Sequence, residues 1–339
     1  MKILLFEWLT GGGLWLDNSS PDSVGNLLQQ GSAMVSAVGL DLAKFAEIEL
    51  LVDSRLNETF ATDADDATLD RLIRIANVYS IDDEWALKIK LKSLASDADA
   101  VLLIAPETNN CLANTIAWLA DDQHKLVSPS LDFVLATSNK NRLADRLTEH
   151  GFDNLPPGMP LERFVKLTQT QQTGWLPIVV KPADGAGSEG IKFFTSLEAY
   201  QNWLSQLPAN QQSNFRVEQF IAGIPASIAA VCQPSAQTVF FPAMKQILHP
   251  QPVGEYLRSE DSLSSAQQLR AKQLAARALT CLPETTGFVG FDIVISNSND
   301  ASQDMLIEIN PRITMSYVIL SEKFNDGRIA KRMLKLVSG

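Results

Sequence analysis

Short apolar runs alternate along this chain with stretches whose apolar positions recur every three or four residues. In the first third the runs are residues 2–6, 49–52, 101–105 and 125–127, each bounded by polar residues, which predicts buried strands. Residues 33–46 and 111–120 carry helical spacing between them. Strand alternating with helix is the pattern of a parallel α/β sheet. The aspartate-rich stretch 62–70 interrupts it without the length or repetition of a disordered tail, and reads as a helix start. A second pattern begins near Pro129. An amphipathic helix is expected from Asn139 to His150, and Pro156-Pro157-Gly158 marks a turn. Strands follow at 179–181, 192–194, 215–220, 287–295 and 305–310, with helical spacing at 197–207, 266–280 and 329–337. The chain is therefore read as two domains, the second beginning near Pro129.

Composition narrows the function classes. With 339 residues and 45% hydrophobic content, the chain can bury a large core. A net charge of −11 opposes nonspecific nucleic-acid binding. The apolar run 3–6 stops at Glu7, too short for an export signal, and no later run reaches the length of a membrane span. Cys111, Cys232 and Cys281 lie far apart, forming neither a metal pair nor a disulfide framework, which fits a reducing cytoplasm. His124, His150 and His249 lack metal spacing and a readable nucleophile partner, so no hydrolase triad is expected. A homodimer is compatible with all of this.

The chemistry-bearing residues cluster in the second part. In Met305 to Asn310 an extended chain points Glu308 and Asn310 to one side and Ile307 and Ile309 to the other. The run Gly287 to Ile295 reads as a neighbouring strand carrying Asp292. Two carboxylates and an amide suit magnesium, with manganese as the alternative, completed by water and phosphate oxygens. Upstream, Val179-Val180-Lys181 runs into Gly185-Ala186-Gly187-Ser188-Glu189-Gly190. Glycines let the backbone approach a polyphosphate, and Lys181 adds a charge. The lysine precedes the glycines, so this is not the helix-opening phosphate loop, and a β-hairpin cover is expected. In Phe215 to Gly223, extended backbone at Glu218-Gln219-Phe220-Ile221 could read an adenine edge. Taken singly, Glu308-x-Asn310 reads better as a solvated edge strand than as a metal site, and 185–190 reads equally well as a surface turn.

In their order these pieces resemble the ATP-grasp superfamily over roughly residues 130 to 320. That resemblance implies an α/β (α+β) fold with a pre-ATP-grasp substrate domain, 1–128, and an ATP-grasp domain, 129–339. The latter would comprise a lysine and glycine-rich-loop subdomain, 129–214, and a metal-binding subdomain, 215–339. It further implies Lys140 as a second nucleotide lysine, and ATP with a divalent metal as cofactors. Small-molecule carboxylate and amine substrates would join through an acylphosphate, with no nucleic-acid or membrane partner. The segments Leu4 to Gly13 and Glu308 to Tyr317 look most like tyramine:glutamate ligases of methanofuran biosynthesis. On that reading Glu7, Thr10, Gly11, Gly12 and Gly13 lie at the carboxyl end of the first strand, where open parallel sheets bind ligands. Local capping by Glu7 and a plain tight connection at 11–13 remain equal alternatives.

The chain departs from the D-alanine:D-alanine ligase pattern twice. The acid expected to hold ribose hydroxyls is replaced by Pro225, Ala226 and Ser227, leaving Ser227 as the substitute. The arginine that many relatives carry two residues before the metal aspartate is Gly290 here. That shifts stabilisation of the transferring phosphoryl group to Arg312, or to Arg258 on an expected mobile loop. A ligase for other amino acids and a non-catalytic ATP-binding regulator are the competing readings.

Overall fold

The computed structural model describes residues 1–57, 67–185, 187, 190–234, 238–249, 256–298 and 300–335. Four strands form a parallel sheet: β1 (Lys2–Glu7), β2 (Glu47–Asp53), β3 (Asn77–Ile81) and β4 (Ala100–Ile104), in the order β3-β2-β1-β4. β1 is apolar on both faces because helices cover both; Ile3, Leu4, Leu5 and Phe6 are all fully buried. β3 escaped the sequence reading, being a short edge strand with most of its residues exposed. The strand expected at 125–127 is reduced to an isolated bridge between Val101 and Leu126. The first long helix, Gly25–Leu42, starts eight residues before the expected position. The only large apolar residues in its first two turns are the adjacent, half-buried Leu27 and Leu28, which give no helical period to read. Of the stretch 62–70, residues 62–66 lie outside the described residues, and a helix runs Ala67–Ile73.

β5 (Gly158–Pro160), β6 (Ile178–Pro182), β7 (Lys192–Phe194) and β8 (Phe215–Gln219) make a small antiparallel sheet, ordered β5-β8-β6-β7. β6 and β7 form the expected hairpin, with Ile178 opposite Phe194. β8 pairs with β5 and β6, so the small sheet extends to Gln219 rather than ending before 215. The third sheet is antiparallel and holds β9 (Ile224–Cys232), β10 (Val239–Phe240), β11 (Met244–Leu248), β12 (Tyr256–Glu260), β13 (Gly287–Ile295) and β14 (Met305–Asn310). Its path is β12-β11-β9-β13-β14, with β10 on β9. The helix Ser265–Thr280, opened by a Ser264–Gln267 capping box, packs on one face.

One hydrophobic cluster crosses the boundary at residue 128. It joins Ile3, Leu5, Val35 and Val38 to Phe288, Ile313, Tyr317 and Ile329. Buried Asp41 reinforces it, accepting hydrogen bonds from Tyr317 Oη at 3.1 Å and Ser321 Oγ at 2.7 Å. The first domain is thereby fixed against the C-terminal helices, which sets the wall of the cleft described next.

Candidate active site

A cleft of about 240 Å³ opens between the small sheet, the third sheet and the helix Gly25–Leu42. Its charged floor comes from two adjacent strands. Asp292 on β13 lies directly opposite Glu308 on β14. Burial first, and then the Glu308 charge, push the Asp292 carboxyl up to about 6. Amide groups brace it: Asn310 Nδ2 donates to Oδ2 and Gln246 Nε2 to Oδ1, each at 2.9 Å. The expected alternation fails at one residue. Asp292 faces Glu308 but Ile293 faces Leu306, so Ile307 is an extra residue in a β-bulge. Leu306 and Ile309 enter the core, while Ile307 lines the cleft beside Glu308 instead of facing inward.

Two lysines reach this floor. Asn139 caps the helix Lys140–Glu149, its side chain accepting from the Asn141 and Arg142 N–H groups. That cap sets Lys140 at the first helical position, where its Nζ contacts Glu308 Oε1 and the Gly185 carbonyl, both at 2.8 Å. Burial alone would lower the Lys140 pKa; the Glu308 charge and hydrogen bond outweigh it and hold it above its ordinary value. Lys181 sits opposite Arg216 in the β6/β8 register. Its Nζ lies 2.6 Å from Glu218 Oε2 and 3.4 Å from the Ile307 carbonyl exposed by the bulge. Arg216 Nε contacts the other Glu218 oxygen at 2.7 Å. Burial would raise the Glu218 pKa, but the two cations keep it below normal.

The ATP-grasp domain family matches residues 137–316, and the pre ATP-grasp 3 domain matches residues 47–132. The chain belongs to the ATP-grasp family. The ATP-grasp fold is shared with an ATP-grasp superfamily protein from Archaeoglobus fulgidus, 19% identical with a TM-score of 0.69, covering 100% of this chain and 88% of that one. Biotin carboxylase from Campylobacter jejuni, in a β-γ-ATP complex, is 14% identical with a TM-score of 0.69, over 100% of this chain and 71% of that one. N5-carboxyaminoimidazole synthase from Aspergillus clavatus, in complex with ADP and 5-aminoimidazole ribonucleotide, is 16% identical with a TM-score of 0.60, over 93% of this chain and 70% of that one. No curated protein matches the chain.

Within this ATP-grasp fold, several expected residues stand elsewhere. Arg258 is on β12, not a loop, with its side chain 64% exposed and 2.9 Å from Glu260. Tyr256 lines the cleft and Arg258 does not. Ser227 is buried and accepts from Ser316 Oγ at 3.0 Å, so it supports the wall rather than offering a ribose contact. In the Glu218 to Ile221 segment, the Gln219 and Phe220 N–H groups already donate to the Pro157 and Pro177 carbonyls. The Ile221 N–H makes no backbone hydrogen bond among the described residues. Ala186 and Ser188 lie outside the described residues, while Gly187 lines the cleft. Glu7 is 2% exposed and turned inward, accepting from the Thr10 N–H at 2.7 Å and the Thr10 hydroxyl at 2.8 Å. Gly11, Gly12 and Gly13 pack against Phe6, Ile81 and Trp8. The Thr10 contacts are the local capping that is one of the two readings of this turn.

Among the residues of the site that went unread are Gln246 and Glu107. Gln246 is one amide in an ordinary strand, with nothing to single it out. Glu107 follows the carboxyl end of β4 and contacts Arg312 Nε at 3.0 Å. A carboxylate just past a parallel strand was the signal available for it. Among the described residues no three His, Cys, Asp or Glu are grouped to hold a metal. The candidate set is two carboxylates, Asp292 and Glu308, with the Asn310 amide. The like-charge pair, with one member's pKa raised, fits a divalent cation, which would relieve that repulsion.

Proposed function

We propose that this chain is an ATP-dependent, ADP-forming carboxylate–amine ligase. The observation that carries the reading is the convergence in one cleft of Asp292, Glu308 and Asn310 with Lys140, Lys181 and the glycine-rich loop. Magnesium held by Asp292, Glu308 and Asn310 would neutralise phosphate oxygens. Lys140 and Lys181 share the remaining charge, and the loop covers the polyphosphate. Catalysis is then positioning and electrostatics.

A substrate carboxylate oxygen attacks the γ-phosphorus, and the bond to the bridging oxygen breaks as ADP leaves. An amine nitrogen then attacks the acylphosphate carbon, expelling phosphate and losing a proton to give the amide. Arg312 on the cleft wall suits the oxygens of the carboxylate or the transferring phosphoryl group.

For the substrates we favour the γ-carboxylate of glutamate and the amine of tyramine or tyrosine, as in methanofuran-type cofactor biosynthesis. Support comes from the resemblance of residues 308–317, and from the Met34, Leu248, Tyr256 and Met315 side of the cleft, an apolar surface suited to an aromatic ring. The test is phosphate release from magnesium–ATP with glutamate and a panel of amines, with products identified by mass. A γ-glutamyl amide of tyramine or tyrosine is expected. Another amide would correct the substrates while keeping the reaction class, and ATP binding without release across the panel would count against the ligase reading.

A further inference from the structure

The turn after β4, residues 105–110, touches both sides of the cleft. Its Glu107 is 4% exposed and receives Arg312 Nε on both carboxylate oxygens, at 3.0 and 3.2 Å. Two residues on, the Asn109 N–H donates to Asp184 Oδ2 at 3.2 Å, at the base of the glycine-rich loop. Asn109 and Asn110 both take left-handed conformations, with φ of 54° and 57°. Asparagine tolerates this region better than most residues, and two in succession turn the chain sharply between its two partners.

Arg312 is held on more than one edge. Besides Nε, its Nη1 donates to the Ile313 carbonyl at 3.2 Å. Nη2 has no hydrogen-bond partner among the described residues. The same side chain lines the cleft with Asp292 and Glu308. A planar guanidinium pinned through Nε cannot swing freely, so its remaining nitrogen keeps a fixed aim. Stability alone does not explain the pair, because a buried ion pair roughly offsets its own desolvation.

We infer that Glu107 is a positioning residue. It fixes the Arg312 guanidinium against the cleft wall with Nη2 as the donor left for a substrate oxygen. The N-terminal sheet thus sets the aim of an arginine carried 205 residues later in the chain. What Arg312 acts on rests on the ligase reading; how it is held rests on the geometry alone.

The test uses the full chain with Glu107→Asp, which keeps the charge but withdraws it by about 1.5 Å, with Arg312→Gln, and with the double variant. Glu107→Asp should lower kcat by about 100-fold while the KM for ATP stays within about threefold. The double variant should be no worse than Arg312→Gln alone, since residues acting through one another are not additive. Turnover of Glu107→Asp within about threefold of the parent, or losses that multiply in the double variant, would overturn the inference. A second readout needs no turnover: the guanidinium ¹⁵N resonances of Arg312, assigned by their loss in Arg312→Lys. Slow rotation in the parent that becomes fast in Glu107→Asp is expected, and fast rotation in the parent would overturn the inference. A parent with a fixed guanidinium but no turnover on any carboxylate–amine pair would sink the ligase reading and leave the positioning of Arg312 standing.

Discussion

Two glycine-rich turns in this protein have nearly the same sequence logic and opposite structures. Each follows a buried strand that ends near a charged residue: Glu7 before Gly11–Gly13, and Lys181 before Gly185–Gly190. In the first, the missing Cβ atoms make room for the protein itself. A Cβ on Gly13 would lie 2.3 Å from the Trp8 ring, and one on Gly11 would lie 2.5 Å from the Glu7 carbonyl. Glu7 spends its carboxylate on Thr10. In the second turn, the strand is half of a hairpin with β7, Lys181 faces the cleft, and Gly187, at φ 65°, reaches across to Leu27. Glycine marks close approach in both places. What differs is the surroundings: Gly13 is closed in by Trp8, whereas Gly187 meets only Leu27 and otherwise borders the open cleft.

The largest expected effect that sharpens this contrast is chemical. Asp292→Asn with Glu308→Gln should cut ATP turnover by about a thousandfold or more with the fold retained, as removal of preorganised charge does elsewhere. Glu7→Gln should stay within about threefold of the parent, because Glu7 faces inward. A coupled ADP assay beside circular-dichroism melting checks both, and comparable losses at the two sites would erase the distinction. Next come the glycines. Gly13→Ala should destabilise the protein by about 2 kcal/mol or more through overpacking against Trp8, leaving the ATP affinity of the folded fraction unchanged. Gly187→Ala should cost about 1 kcal/mol of backbone strain but raise the KM for ATP severalfold. Denaturant titrations and saturation curves separate the two patterns.

A smaller effect is a pH dependence. Burial outweighs the Thr10 and Leu9 hydrogen bonds and the more distant Arg312 charge, and holds the Glu7 carboxyl above its ordinary value of 4.5. The folded state therefore binds this proton more tightly than the unfolded chain. The stability that the group contributes is present below pH 4.5 and is lost as pH rises through its raised folded value. Glu7→Gln should accordingly gain stability relative to the parent at pH 8 compared with pH 4, as read from unfolding midpoints at both. A gain that grows toward pH 4 would contradict the assigned cause. Smallest of all, Ser227→Ala should cost about 1 kcal/mol for its buried hydrogen bond with turnover nearly unchanged. Arg258→Ala should do neither.

The acidic strand pair was legible because Asp292, Glu308 and Asn310 sit at positions that period-two alternation aims outward. The bulge at Ile307 was not, since one extra residue in a ladder leaves no mark in an apolar run. Lys140 could be read from its helix cap, whereas its contact with Glu308 joins parts of the chain that only the tertiary fold brings together. Gln246 was silent for the same reason, since it acts on Asp292 from a distant part of the chain, and Glu107 showed its place after a parallel strand but not its contact with Arg312. The parallel sheet emerged from its buried strands but lost β3, whose exposed edge residues give no burial pattern. Arg258 was read onto a loop because the β11/β12 pairing, which determines the neighbours of each side chain, is a property of the sheet.

On the proposed reading, this cleft activates a carboxylate through phosphoryl transfer. The most direct measurement supplies glutamate labelled with ¹⁸O in its carboxylates, together with magnesium–ATP and the productive amine, and reads the released phosphate by mass. Attack of a carboxylate oxygen on the γ-phosphorus predicts one ¹⁸O atom in each phosphate formed with amide. Phosphate free of label at the same yield of amide would contradict the account.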